Sequence, residues 1–371
     1  MKIKVGKPDW VFLGIIITLV SLGIIMIFST SPTMGMSNFN DGYYFIKRHF
    51  AYLIIGFMGL FFAMKLPHQQ YKKMAMPGLV ISIILLAMTL VPHLGVRING
   101  ASRWLNLGFI RIQPVEFAKF FMIVFAAMYL ENKGKNVVRF FKGMFPLFMM
   151  LAIPVLILAK QPDFGNIILT MGTVMVLLFM SGTRIVQFCT LLGTAFSLGV
   201  VNILLHPYQM KRIETFLSPW DDPLGQSYHV IQSFIAIGSG GFWGLGLGQS
   251  KLKFTYLPLH YADFIFSIVC EEGGFLLGTS VLLIFAFLFY RGCKIAQEAV
   301  TPFSFYLANG LTMLLVIQAV INVGSVIGVL PVTGIPLTFI SFGGTALITS
   351  LFYSGVILNI SRKKVREKTA E

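Results

Sequence analysis

Three acids interrupt a stretch that is otherwise as apolar as a membrane span. LHYADFIFSIVCEEGG, residues 259–274, holds Asp263 at its mouth and Glu271 and Glu272 inside it. A carboxylate within a span costs roughly 2.5 kcal/mol or more and normally faces protein, water or a cation. Such a group can take a proton, bind a cation or hold a helix, and the spacing does not choose among these. Taken alone, Asp263 reads first as a helix N-cap, because Asp accepts from free N–H groups and favours the positive end of the helix dipole. Glu271 lies eight residues further on, about 80° round a helix from Asp263, so their faces are related but not identical.

Cations cluster elsewhere. Arg97, Arg103 and Arg111 precede a helix that opens at Pro114 and carries Glu116 and Lys119 three apart on one face. Guanidinium groups suit bidentate binding of phosphate. For Glu116 and Lys119 alone, a helix-end ion pair and a functional pair are equally good readings. Lys160 and Asp163 bracket a turn, where a C-terminal Lys and an N-cap Asp are equally ordinary.

The elements that must position these groups are membrane helices. The 371 residues are 56% hydrophobic and 12% charged, with mean hydropathy +0.80, against roughly 25% charged in soluble domains. The net charge of +15 reads as basic loops facing anionic lipid, not as a nucleic-acid surface. Cys189, Cys270 and Cys293 form no CxxC or metal-ligand spacing. The first apolar run lacks a small-residue cleavage site and reads as a retained helix.

Ten runs are long enough to span, at about 11–29, 50–66, 75–93, 114–131, 143–159, 165–182, 185–205, 264–290, 303–329 and 344–360. The eighth and ninth are long, which predicts tilt or a broken helix. With the N-terminus inside, 18 of the 29 Lys and Arg residues fall on the inner side, so the bias predicts N-in and C-in. The expected fold is therefore an all-α polytopic membrane protein, one domain over 1–371, with a long extracytoplasmic loop (206–263) between helices 7 and 8.

This topology sends four polar segments to one outer face: 97–119, 160–166, 206–263 and 331–344. The long loop exceeds an idle connection. Its residues 228–238 predict an amphipathic or re-entrant helix, followed by the glycine runs GSGG and GLGLG. No strand precedes these glycines, so they are not a nucleotide-binding fingerprint; they suit close backbone approach.

In these segments the chain resembles the SEDS family (shape, elongation, division and sporulation), the FtsW/RodA/SpoVE group, over nearly its whole length. NGASRWLNLGFIRIQPVEFAK is similar to the family's NGARRW…QPSExAK, and KQPDFGN to its QPDxG. DDPLGQSYHVIQSFIAIGSGG resembles DPLGxxYxxxQSxIAIGSGG, LPLHYADFIFSIVCEEGG resembles LPExHTDFIFxxxxEExG, and LPVTGIPLTFISFGGTAL resembles LPVTGxxLPFxSYGGSSL. GLGLGQSKLKFTYLP leans to the FtsW branch. Val115, Tyr261, Ala262 and Phe342 depart from the family's Ser, His, Thr and Tyr.

The resemblance implies a peptidoglycan glycosyltransferase of the bacterial cytoplasmic membrane, working on its outer face. It would polymerise lipid II, the disaccharide-peptide on undecaprenyl pyrophosphate, for cell division or cell shape. It implies a class B penicillin-binding protein as transpeptidase partner, alongside other divisome or elongasome membrane proteins. Asp263 matches the family's essential acid and is the expected catalytic base. Arg103, Lys119, Lys160 and Arg212 are expected to hold pyrophosphate, with Glu116 and Asp163 orienting those cations or helping to bind Mg²⁺ or Mn²⁺. No organic cofactor is expected. Glu271 and Glu272 are expected to be structural or partner-coupling, packed against the outer-half helices. The alternative function is a lipid II flippase, in which these two acids would line a polar path.

Overall fold

The computed structural model describes residues 3–98, 101–106, 111–205, 207–225, 227–250, 263–362 and 364–366. Helices dominate it: α1 (Trp10–Thr30), α2 (Pro32–Phe39), α3 (Tyr44–Lys65), α4 (His68–Met88), α5 (Pro114–Lys133), α6 (Phe145–Lys160) and α7 (Phe164–Met180). There follow α8 (Ile185–Leu205), α9 (Pro207–Leu217), α10 (Tyr228–Ser239), α11 (Ile265–Gln297), α12 (Pro302–Val326) and α13 (Gly344–Ser361).

Among the described residues, seven helical segments are long and apolar enough to cross a membrane: α1, α3, α4, α6 with the turn before it, α11, α12 and α13. They account for seven of the ten expected spans. The expected span at 114–131 coincides with α5, which carries Glu116, Lys119, Glu131 and Lys133. The runs at 165–182 and 185–205 coincide with α7, of 17 residues, and with α8.

The core lies where α12 and α13 meet α3, α5 and α7. On α12 even the polar Asn309, Thr312, Gln318 and Asn322 are buried. Small ladders close the ends. Strand β1 (Ile3–Val5) pairs antiparallel with β5 (Lys364–Arg366), joining the two ends of the described chain. Below it Asp9 caps α1 by accepting from the Phe12 N–H at 2.9 Å, and it pairs with Arg291 of α11 at 2.7 Å. At the other end β2 (Gly95–Ile98), β3 (Ala101–Asn106) and β4 (Arg111–Ile112) form an antiparallel sheet, order β2-β3-β4. The apolar periodicity did not predict this sheet.

α11 is broken, as its length predicted, at Gly274 (φ 67°, ψ −168°). The glycine run after α10 fits into this break. Phe275 and Leu276 donate N–H bonds to the carbonyls of Gly241 and Phe242, while Leu245 and Gly246 donate to Glu271 and Glu272. A Cβ on Gly274 would lie 2.5 Å from the Phe242 oxygen and against the Gly244 nitrogen. The backbones interlock only because those positions are bare.

Candidate active site

Four chain segments converge on Asp263. It lies two residues before α11, and Phe264 occupies the N-cap position without a side-chain cap bond. The Asp263 carboxylate is therefore not spent on the helix end, and it receives no hydrogen bond from the described residues. Its main-chain oxygen is held instead, by Asn322 Nδ2 of α12 at 2.8 Å. Burial pushes the Asp263 pKa up to about 6, while the Arg212 and Arg103 guanidinium groups pull it down.

Each cation is aimed by the backbone of a different loop. Arg212, on α9, donates from Nη1 to the Val332 carbonyl at 2.9 Å. Arg103, on β3, donates from Nη2 to the Pro162 carbonyl at 2.6 Å, and its Nε lies 3.7 Å from Asp163 Oδ1. Asp163 stands at the N-cap position of α7, yet it caps nothing with its side chain. Its Oδ2 accepts from Asn166 Nδ2 at 2.9 Å. The segment 331–336 covers the other side. Gly334 (φ 74°) lies beside the Asp263 carboxylate, with 3.6 Å from Oδ2 to where a Cβ would stand. Gly165 of α7 packs against Thr333.

Several polar atoms around this centre are buried without a hydrogen bond among the described residues: Arg103 Nε, Asn166 Oδ1, Asn322 Oδ1 and Thr333 Oγ1. Orphaned buried donors and acceptors are rare, and they call for a ligand, water or ion. Two guanidiniums and a carboxylate of raised pKa, ringed by unmet polar atoms, can hold an anion and take a proton.

The structure thus gathers Asp263, Arg103, Asp163 and Arg212. It places the other expected site residues differently. Glu116 and Lys119 are 3% and 1% exposed and bond to each other at 2.7 Å. Lys119 also donates to Gln318 Oε1 at 3.3 Å, and Thr349 of α13 donates to Glu116 Oε2 at 3.0 Å. Both side chains are sealed between α5, α12 and α13, so in this structure they frame the site and do not reach its surface. Lys160 is exposed at the end of α6, with no ion pair or hydrogen bond among the described residues. Arg111 is exposed, and the Arg97 side chain lies outside what is described. Glu272 accepts from Ser29 of α1 at 2.7 and 2.9 Å, and Glu271 accepts from Ser250. Both acids therefore sit at the α11 break, tied to α1 and the glycine run.

Two of the departures from the family pattern find a setting. Val115 packs with Leu86, Ala118 and Leu158. Phe342 meets Phe45 and Tyr52 edge-on, with centroids 5.4 and 6.1 Å apart. Tyr261 and Ala262 lie outside the described residues.

Periodicity alone missed Asn322, Gln318, Asn166 and Thr333. The available signal was three polar residues, Gln318, Asn322 and Ser325, at i, i+4 and i+7 inside an apolar span.

The cell cycle protein family model FtsW/RodA/SpoVE matches residues 9–366. Stage V sporulation protein E of Bacillus subtilis (strain 168) is 40% identical over 363 residues, 98% of this chain and 99% of its own. A probable peptidoglycan glycosyltransferase FtsW of Trichlorobacter lovleyi is 38% identical over 359 residues, 96% of this chain and 94% of its own. Among solved structures, a chain of a peptidoglycan synthase complex that coordinates polymerization and crosslinking superposes with TM-score 0.79 at 28% identity, covering 97% of this chain and 99% of that one. The rod shape determining protein RodA of Thermus thermophilus superposes with TM-score 0.72 at 26% identity, covering 97% and 98%.

Proposed function

The chain belongs to the FtsW/RodA/SpoVE family of cell cycle proteins, and from that premise we propose how its residues divide the work of its reaction. It is a multi-pass membrane protein and a peptidoglycan glycosyltransferase that polymerises glycan for cell division or cell shape. The finer reading is that its substrate is lipid II, and that all ten apolar runs cross the bacterial cytoplasmic membrane with both termini inside. The Asp263 centre, with the loop 206–263, then faces outward, where the headgroup of a polyprenyl-linked sugar is presented.

The observation that carries this reading is the uncommitted Asp263 carboxylate beside two guanidiniums. In the proposed step the acceptor sugar hydroxyl attacks the donor's anomeric carbon. The bond from that carbon to the pyrophosphate oxygen breaks, and undecaprenyl pyrophosphate leaves. Asp263 takes the hydroxyl proton. With a pKa near 6 it is mostly ionised at neutral pH, and it remains basic enough to accept the proton. Arg103 and Arg212 meet the charge that develops on pyrophosphate, for which fixed guanidiniums are suited. Asp163, itself held by Asn166, steadies Arg103 from behind. Lys119 and Glu116 contribute by tying α5 to α12 and α13. Lys160 contributes charge at the rim.

A divalent cation fits this chemistry without a dedicated cage. Among the described residues no three His, Cys, Asp or Glu side chains gather around one point. Asp163 and the unmet Asn166 oxygen are hard donors, and Mg²⁺ commonly takes one or two carboxylates and completes its shell with substrate phosphates and water. A class B penicillin-binding protein is the proposed partner. The coordinated polymerization and crosslinking named for the similar synthase complex supports that choice.

A glycan gel assay on labelled lipid II, with and without partner and Mg²⁺, tests the reading. Parent protein yields polymer. Polymer formation near the parent rate by Asp263→Asn would sink the base assignment. Headgroup flipping in liposomes without polymer would move the assignment to transport.

A further inference from the structure

The Asp263 carboxylate receives no hydrogen bond from the described residues, so nothing on the side chain itself fixes its direction. Its backbone must, and one buried amide grips that backbone. Asn322 is 2% exposed in the middle of the apolar α12. Its Nδ2 donates both protons, to Asp263 O at 2.8 Å and to Ile335 O at 2.8 Å. It joins the mouth of α11 to the segment whose Gly334 lies beside the carboxylate.

The neighbours on the same helix face do less. Gln318 Nε2 reaches Pro336 O at 3.1 Å, and Ser325 Oγ reaches Pro331 O at 3.0 Å. These hold the 331–336 segment to α12 without touching Asp263. Asn322 is the side chain of this row that spans both. Its polarity is also fixed: turning the amide over would set Oδ1 against two carbonyl oxygens. Oδ1 is left buried with no partner among the described residues, a cost that a plain packing residue would shed.

We propose that Asn322 is a positioning residue for the glycosyl transfer, aiming Asp263 at the acceptor by clamping its carbonyl to the 331–336 segment. This rests on Asp263 being the base. Through Gln318, which accepts from Lys119, the same row connects the buried Glu116–Lys119 pair to the catalytic loop.

The test uses purified full-length protein with its partner and lipid II, comparing Asn322→Asp, Asn322→Ala and Asp263→Asn. Asn322→Asp keeps the shape but loses the double donor. Misaiming a base by an ångström or so costs rate, so kcat should fall about tenfold or more. KM for lipid II should stay within about twofold, because the groups that bind pyrophosphate are untouched. The acid limb of the rate profile should move to higher pH, since a negative charge then stands at the Asp263 main-chain oxygen and disfavours ionisation of that residue. The other charged groups around Asp263, Arg103 from β3 with its partner Asp163 and Arg212 from α9, are the same in every variant; His229 of α10 lies near Phe264, its ring centroid 6.3 Å from that ring.

If both Asn322 variants keep the parent kcat and the parent acid limb while Asp263→Asn is inactive, the positioning role is wrong and the base stands. If Asp263→Asn is itself active, the base reading fails first. If neither Asn322 variant folds, the amide is a packing residue and the inference is overturned.

Discussion

Lys119 Nζ lies 2.7 Å from Glu116 Oε1, one turn away on α5, and neither side chain meets solvent. Removing one member of a buried pair strands the other charge, typically at about 3–5 kcal/mol, whereas replacing both with apolar or neutral groups is often tolerated. Lys119→Met should therefore lower the unfolding temperature in detergent markedly. The double variant Glu116→Gln/Lys119→Met should recover much of the loss. An unchanged melt for Lys119→Met would mean that the pair is not the tie between α5, α12 and α13 described here.

The acid limb of the pH–rate profile should have its midpoint near pH 6. Asp263 must be ionised to take the hydroxyl proton, its pKa is raised to about 6, and the rate therefore falls as pH drops through that value. Arg212 pulls this pKa down. Arg212→Gln should move the limb to higher pH and also weaken retention of the leaving pyrophosphate. A profile flat from pH 5 to pH 8, as rough bounds around that midpoint, would argue that another group takes the proton.

Gly274 should not tolerate a side chain. Its φ of 67° and its seat against Phe242 and Gly244 exclude a Cβ, so Gly274→Ala should destabilise by more than about 1 kcal/mol and reduce the folded yield. Ser29→Ala, which removes a donor to Glu272 at the same break, should also destabilise, at about 1–3 kcal/mol for a buried acceptor that loses a partner. Thermal unfolding of the two variants side by side checks both losses.

Much of this architecture was legible in the chain. Apolar runs located the helices because the bilayer sets their length, and the length of the eighth run pointed to tilt or a break; the structure puts a break at Gly274, with φ 67°. Where polar residues prolong a helix beyond the apolar run, hydropathy failed. α4 begins at His68, not near 75, because Gln69, Gln70, Lys72 and Lys73 sit in its first turns. The sheet carrying Arg103 was invisible, since strands of four, six and two residues leave too little alternation to read.

The site was legible by residue type and less so by role. Asp263, Arg103, Asp163 and Arg212 were named from charge and motif, and they converge. Glu116 and Lys119 were named with them, but the helix face shared at i, i+3 turns inward, toward α12 and α13. Which face of an amphipathic helix meets protein is decided by neighbours distant in sequence. Asn322 was overlooked for the same reason: a lone amide in a span looks like noise until its two acceptors, 59 and 13 residues away, are brought beside it.

The central claim is that Asp263 takes the proton and is not needed merely to hold substrate. The most direct measurement is lipid II binding and turnover by Asp263→Asn on the same preparation. Unchanged affinity for lipid II, with glycan synthesis reduced by about 10²-fold or more, is the predicted result. Glycan synthesis at the parent rate, or a loss of turnover fully explained by weaker binding, would contradict it.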